Sequence, residues 1–369
     1  MGCALHFTES MSLCIVRRID SVKALIMNEK RELCVTERPD PKETNDNIIV
    51  RVRSASICGT DMRTFLQGNK KINPPRILGH EFAGDIIYAS EMAKGYGLNV
   101  GDRVTVAPAI GCGECWPCRT GHTNMCDHLE TIGFQYDGVF AKYVAIPSKA
   151  IRMGNVIKLP DNIGYDSATL IEPAGCAYNG QSYLHIQPGD NVVIYGSGMI
   201  GCIHAELAFL AGASKVMMCE PVEKRGHIAE QKVPGVIWID NGKKNAVEEV
   251  MKMTDGVGAN VVITATSFAP VQQEAQDIAA KMARICLFGG LAGNSTGYID
   301  SNKIHYKELQ ICGVHATTPG YMREIMRLIE QGKLDSSKYI EKIVSLDDIL
   351  YGFKAIRDEN IMKVVVHPE

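Results

Sequence analysis

Gly196-Ser197-Gly198-Met199-Ile200-Gly201 follows directly on the short apolar run Asn191 to Tyr195 and opens an apolar stretch, Met199 to Ala211. A glycine-rich chain offers G-x-G-x-x-G by chance, but between a strand and a helix the spacing acquires a physical meaning. Gly196 permits the tight turn, Gly198 lets backbone approach a phosphate, and Gly201 lets the helix pack closely on the strand. Met199 and Ile200 stand at the helix start, where free N–H groups face an anion. The segment is therefore read as the pyrophosphate site of a dinucleotide, a bare glycine turn being the plain alternative.

The alternation continues downstream. Lys215 to Cys219, Val236 to Ile239 and Asn260 to Thr264 read as strands, and Ala246 to Met253 as a helix. A helix over Val271 to Met282 and strands over Arg284 to Phe288 and Leu309 to Val314 complete the series. This spacing predicts an α/β domain with a parallel, doubly wound Rossmann sheet. Tyr321 to Gln331 is expected to be helical and to stop at Gly332, before short strands return.

Glu220 comes nineteen residues beyond Gly201, at the end of the second strand. A carboxylate there accepts hydrogen bonds from the adenosine ribose hydroxyls and repels the extra phosphate of NADP, so NAD is the expected cofactor. Lys224 and Arg225 follow at a helix start. Arg225 is a further cofactor-binding candidate that softens this preference, with a solvated surface charge as the alternative.

The first half has a different texture. Ile48-Ile49-Val50-Arg51-Val52-Arg53 alternates apolar and charged residues at its end, as a half-buried strand does. Gly79, Gly84, Gly101, Pro108 and Gly111 punctuate the chain, which predicts short strands joined by turns in an irregular β-barrel. At 369 residues the chain exceeds one ordinary core, so two domains are expected, with neither an internal repeat nor a low-complexity linker.

A formal net charge of −3 without a run of Lys and Arg argues against nucleic acid or an anionic membrane as partner. No apolar stretch approaches the roughly 20 residues that span a bilayer. Residues 1–22, with Met11 to Val16 as their apolar cluster, lack a basic start and a small-residue cleavage site. They read as an N-terminal extension, not a signal peptide. Myristoylation at Gly2 is rejected because His6 stands where Ser or Thr is required. Of the thirteen cysteines, four crowd between Cys112 and Cys126, while Cys34, Cys202, Cys219 and Cys286 are scattered singly. That distribution predicts metal-binding thiolates in a reduced, cytoplasmic compartment rather than a disulfide framework.

Cys112, Cys115, Cys118 and Cys126 have the spacing C-x2-C-x2-C-x7-C. Four thiolates on one short lobe close a tetrahedral site with no open position, as a structural zinc requires. An iron–sulfur cluster uses similar spacing, but nothing else in the chain points to electron transfer. The second constellation is Cys58-Gly59-Thr60-Asp61 with Gly79-His80-Glu81. A mixed set of thiol, imidazole and carboxylate is typical of a catalytic zinc that keeps one position open. Taken singly, His80 also reads as a satisfied core histidine and Cys58 as a buried thiol.

These two constellations, the Glu172-Pro173 pair and the Gly196 to Gly201 turn occur in the order seen in zinc-containing medium-chain dehydrogenases. The chain resembles the sorbitol (L-iditol) and threonine dehydrogenase branch of that family from about residue 23 to its end. The resemblance implies a GroES-like catalytic domain over 23–172 and 316–369, with a Rossmann NAD-binding domain over 173–315 inserted in it. It implies Cys58 and His80 as ligands of a catalytic zinc, Glu81 as ligand or close neighbour, and Glu172 as the carboxylate near the metal. Cys176 is the reserve ligand. Thr60 is placed to take the substrate proton, while Asp61 anchors its loop.

Oxidation of a secondary alcohol to a ketone with NAD follows, the substrate being a polyol, sugar or sugar phosphate. L-Threonine 3-dehydrogenase is the alternative within the class, and a non-catalytic NAD-binding relative the alternative outside it. Relatives are commonly dimers or tetramers, so a homo-oligomer is expected. One position departs from the pattern: Arg63 stands where many relatives carry a histidine used in proton relay or substrate binding. Arginine stays charged and does not pass a proton on. A surface role or a bidentate contact to an anionic substrate group remain the two readings of it.

Overall fold

Strand Ile48–Ser56 pairs antiparallel with three others, Glu81–Ala89, Tyr143–Ile146 and Lys363–His367, and so organises the first domain. The sheet runs Val156–Lys158, Arg103–Val106, Glu81–Ala89, Ile48–Ser56, Lys363–His367, Ile340–Ser345. Val365 lies opposite Ser56 and Val366 opposite Ala55. The end of the chain is thereby stitched into a sheet begun near its start, and the strands of the parallel sheet lie between the two along the chain. A smaller sheet, Leu33–Pro39, Ser21–Met27 and Arg76–Ile77, completes the irregular β domain. The computed structural model describes residues 21–291 and 295–369. The features read at Gly2, His6 and Met11 to Val16 lie outside the described residues. Ser21 and Val22, assigned to the extension by sequence, already belong to a strand and pair with Pro39 and Arg38.

The inserted domain holds one parallel sheet ordered Ile237–Ile239, Lys215–Cys219, Asn191–Tyr195, Ala259–Thr264, Ala279–Leu287, Gln310–Gly313. Numbered along the chain this is 3-2-1-4-5-6, the doubly wound order whose reversal leaves a crevice at the carboxyl ends of the first and fourth strands. Its central strands are continuous apolar runs because helices cover both faces. Val192 and Ile194 pack toward Ile203 on one face, and Val193 and Tyr195 toward Val250 and Ala275 on the other. Helix Ile171–Ser182 leads into this domain and helix Pro319–Glu330 leads out. The two pack together, and Ala174, Ala177, Met322 and Ile325 share a buried cluster with Ile194.

The helix expected over Val271 to Met282 is shorter, Pro270–Ile278, and the next strand begins at Ala279. Ile278-Ala279-Ala280 is apolar whichever element it joins, so periodicity does not divide it. Pairing does: Ala279 lies opposite Ala259, and both are buried. No helix among the described residues is long and apolar enough to cross a membrane.

Candidate functional site

Helix Gly59–Gln67 begins on a capping box made by two of the expected site residues. Asp61 Oδ2 accepts from Cys58 N at 3.0 Å, and Cys58 Sγ accepts from Thr60 N at 3.5 Å. Asp61 therefore anchors the turn that presents Cys58, satisfying N–H groups a helix start leaves free. Its other oxygen lies 3.7 Å from His80 Nδ1. Candidate ligand atoms of Cys58, His80 and Glu81 lie within 4.8 Å of one another.

Glu81 opens strand Glu81–Ala89 and is fully buried. One of its oxygens accepts from Ser56 Oγ and from Lys363 Nζ, itself buried, which also donates to Ile57 O at 3.1 Å. The other oxygen, and His80 Nδ1, are buried without a hydrogen-bond partner among the described residues. Such orphaned atoms are costly unless something further satisfies them. A divalent cation between thiol, imidazole and carboxylate is the group that this donor set fits.

Glu172 and Cys176 do not join that 4.8 Å set. They stand one turn apart on helix Ile171–Ser182, with Cys176 Sγ 3.5 Å from Glu172 Oε1. Burial pushes the Glu172 carboxyl up to about 7 and the Cys176 thiol well above its ordinary range. Burial likewise raises the Cys58 thiol, with the Glu81 charge adding to it. The cluster is thus rich in acidic groups, and Lys363 is held by Glu81.

The four-cysteine lobe is built differently. Cys112 Sγ lies 4.0 Å from Cys118 Sγ, and Cys115 Sγ lies 3.7 Å from Cys126 Sγ. A tetrahedron with metal–sulfur bonds of about 2.3 Å has edges of about 3.8 Å, so the set fits zinc without rearrangement. All four thiols are free. Backbone N–H groups of Glu114 and Cys115 point at Cys112 Sγ, both at 3.4 Å, and that of His128 points at Cys126 Sγ at 3.2 Å. Those of Cys115 and Glu114 pull the Cys112 thiol down to about 6, while burial pushes that of Cys118 up to about 12.

At the glycine turn the three positions behave as separate devices. Gly196 has φ of 96°, and a Cβ there would meet Ala265 O at 2.9 Å. A Cβ on Gly201 would come 2.0 Å from Gly196 O, whereas one on Gly198 meets nothing within 4 Å. The space above Gly198 is the space a phosphate needs. Gly198 caps helix Met199–Leu210 without a side-chain bond, leaving the N–H groups of the first turn available. Glu220 is 4% exposed, and its carboxylate bonds to the turn. Oε2 accepts from Ser197 N at 3.0 Å and Ser197 Oγ at 3.2 Å, and Oε1 from Val222 N at 3.0 Å. Arg225 is half-buried in helix Glu223–Lys232.

This layout agrees with known proteins. The alcohol dehydrogenase GroES-like domain matches residues 44–161, and the zinc-binding dehydrogenase domain matches residues 200–331. L-Threonine 3-dehydrogenase of Pyrococcus horikoshii is 32% identical over 88% of this chain and 92% of its own length. Sorbitol dehydrogenase of Halalkalibacterium halodurans is 28% identical over 94% of this chain and 99% of its own. A zinc-binding dehydrogenase from Sinorhizobium meliloti 1021, solved bound to NADP, superposes with a TM-score of 0.87 at 27% identity, covering 95% of this chain and 100% of that one. The chain belongs to the zinc-containing medium-chain dehydrogenases.

This dehydrogenase is accordingly an oxidoreductase of the zinc-type alcohol dehydrogenase family, with a GroES-like and a Rossmann domain. Sequence reasoning missed the groups that hold its site residues in place. Ser56 and Lys363 fix Glu81, and Lys363 stands 282 residues away from it. Ser197, inside the glycine motif, carries the link to Glu220. A lysine leading a run of three valines, Lys363-Val364-Val365-Val366, was the available signal, since a buried lysine needs a partner.

Proposed function

We propose that the protein oxidises a secondary alcohol, a polyol, sugar or sugar phosphate, to a ketone with NAD. The observation that carries this reading is the mixed donor set Cys58, His80 and Glu81, with Thr60 bonded through its N–H to Cys58 Sγ. These residues would hold zinc, which when bound activates an alcohol hydroxyl as a Lewis acid, while a bound nicotinamide accepts the hydride. Cys112, Cys115, Cys118 and Cys126 would hold a second, structural zinc.

The chain's own residues position the substrate and move the proton. Thr60 Oγ1, accepting from Arg63 Nη2 at 3.5 Å, keeps a lone pair for the substrate proton. As that proton arrives the hydroxyl gives up its own, and we assign Glu172, whose carboxyl burial pushes up to about 7, as the group able to accept it. Gly196, Gly198 and Gly201 cradle the pyrophosphate, with Met199 and Ile200 offering N–H donors. Glu220 places negative charge where NADP carries its extra phosphate, and this supports NAD.

NAD and NADP reduction by the zinc-loaded protein, over a panel of polyols, polyol phosphates and L-threonine, tests the reading. Turnover of a polyol class with NAD, abolished by chelation while cofactor binding survives, is the expected result. Turnover of L-threonine alone would move the assignment to L-threonine 3-dehydrogenase, a reading supported by the 32% identical relative of that name. Bound zinc and NAD without turnover of any alcohol would sink both.

A further inference from the structure

Helix Gly59–Gln67 carries Cys58 at its cap, Thr60 in its first turn and Arg63 one turn further on. Residues three apart on a helix are surface neighbours, with roughly 5–6 Å between their Cβ atoms. Arg63 and Thr60 therefore share a face, and Arg63 Nη2 reaches Thr60 Oγ1 at 3.5 Å. On its other side Arg63 Nη1 stands 3.9 Å from the point a Cβ on Gly290 would occupy. Gly290 belongs to the turn leaving strand Ala279–Leu287 at its carboxyl end. That turn is pinned to its neighbour, since a Cβ on Gly289 would come 2.1 Å from Thr266 O. The guanidinium thus lies between the catalytic helix and the turn at the carboxyl end of strand Ala279–Leu287, the edge at which open α/β sheets receive their ligands.

Arg63 has no ionic partner there. Arg53 and Arg76, in the same domain, each pair with an aspartate, Asp85 and Asp137. Arg63 is exposed and, among the described residues, bonds to Thr60 and to no carboxylate. Its planar fork of donors matches a carboxylate or a phosphate, and a hydroxyl acceptor leaves most of those donors free.

We infer that Arg63 is the anion-binding corner of the substrate site, so that the substrate is a secondary alcohol carrying a phosphate or carboxylate close to its carbinol carbon. This rests on the proposed alcohol oxidation and narrows its substrate class. It also gives the departure from the family's histidine a chemical purpose: the position recognises charge and leaves proton transfer to Thr60.

The test uses the zinc-loaded protein with NAD and two matched pairs, glycerol 3-phosphate against glycerol and 3-hydroxybutyrate against 2-butanol. The wild type is expected to favour the anion in one pair, which distinguishes phosphate from carboxylate recognition. Arg63→Gln is expected to cut that anion-to-neutral ratio of kcat/KM by about 10- to 100-fold, as for a lost charge-assisted bond, and Arg63→Lys to restore part of it. A ratio in Arg63→Gln within about threefold of wild type, or a neutral preference in the wild type, overturns the inference. Calorimetric titration of the NAD-bound protein with malonate and with inorganic phosphate gives a readout free of turnover. Anion binding weakened about tenfold or more in Arg63→Gln supports the corner, and undiminished binding removes it. If no alcohol is oxidised while an anion still binds through Arg63, the alcohol-oxidation reading fails and the anion corner stands.

Discussion

Two histidines are buried among the described residues, one in each domain, and burial alone drives an imidazole toward its neutral form. In the nucleotide domain His204 follows that rule. It sits in helix Met199–Leu210 near Gln181, with the Phe288 ring at 4.7 Å, and burial takes its pKa down to about 3. In the catalytic domain burial pulls His80 down as well, but Asp61 and then Cys58 outweigh it and hold the ring well above the ordinary value. Both are buried, and their pKa values are moved in opposite directions. The nucleotide domain excludes charge from its helix packing. The catalytic domain concentrates acids around one imidazole and leaves buried acceptor atoms open, which is what a cation site needs and a packed core avoids.

The comparison is broken most severely at His80 itself. His80→Ala is expected to lower alcohol oxidation by at least about 10⁴-fold, because the Lewis-acid contribution is lost with the cleft metal. Metal analysis should find the cysteine-lobe zinc retained. Loss of both metals together would show that the two sites are not independent, and retained activity would remove His80 from the ligand set.

Next in size is the ion pair behind Glu81. Lys363→Met leaves a fully buried carboxylate without its counter-charge, at a cost of about 3–5 kcal/mol in denaturant unfolding of the metal-free protein. Adding Glu81→Gln should recover much of that loss, since the uncompensated charge goes with it. Strictly additive losses would mean that the lysine acts through packing alone.

The same contrast explains what was legible in the sequence. The cysteine lobe and the glycine turn lie within 112–126 and 196–201, so one local geometry satisfies each pattern, and spacing alone declares it. The cleft is different. Cys58, His80 and Glu81 could be listed as candidates, but their contact depends on strand Ile48–Ser56 pairing with Glu81–Ala89. The groups that charge or steady them arrive from distant segments, as Lys363 does from the last strand. His204 and His80 carry no local mark to tell them apart. Only the surroundings separate an inert imidazole from a ligand, and those surroundings are tertiary.

A smaller effect is expected at Glu220, whose carboxylate ties Ser197 and Val222 to the glycine turn. Glu220→Ala should raise the KM for NAD about tenfold and shift preference toward NADP, through lost loop support and lost negative charge. An unchanged NAD to NADP ratio with the KM raised for both would reduce its role to holding the turn.

The smallest effect tests the other half of the comparison. His204 is neutral in the folded protein down to about pH 3, whereas an unfolded histidine takes up a proton below about 6.5. Its folded pKa lies below the unfolded one, so the associated stability is complete above pH 6.5. It declines as pH falls, because only the unfolded chain binds the proton. Between pH 6.5 and 5.5 that single proton amounts to about 1 kcal/mol. His204→Gln keeps a polar group beside Gln181 but cannot titrate, so its unfolding free energy should fall less with acidification by about that amount. Parallel slopes for the two proteins would mean that His204 gains a proton inside the folded helix. The nucleotide domain would then tolerate charge where its packing, Phe288 on one side and Gln181 on the other, offers no acid to receive it.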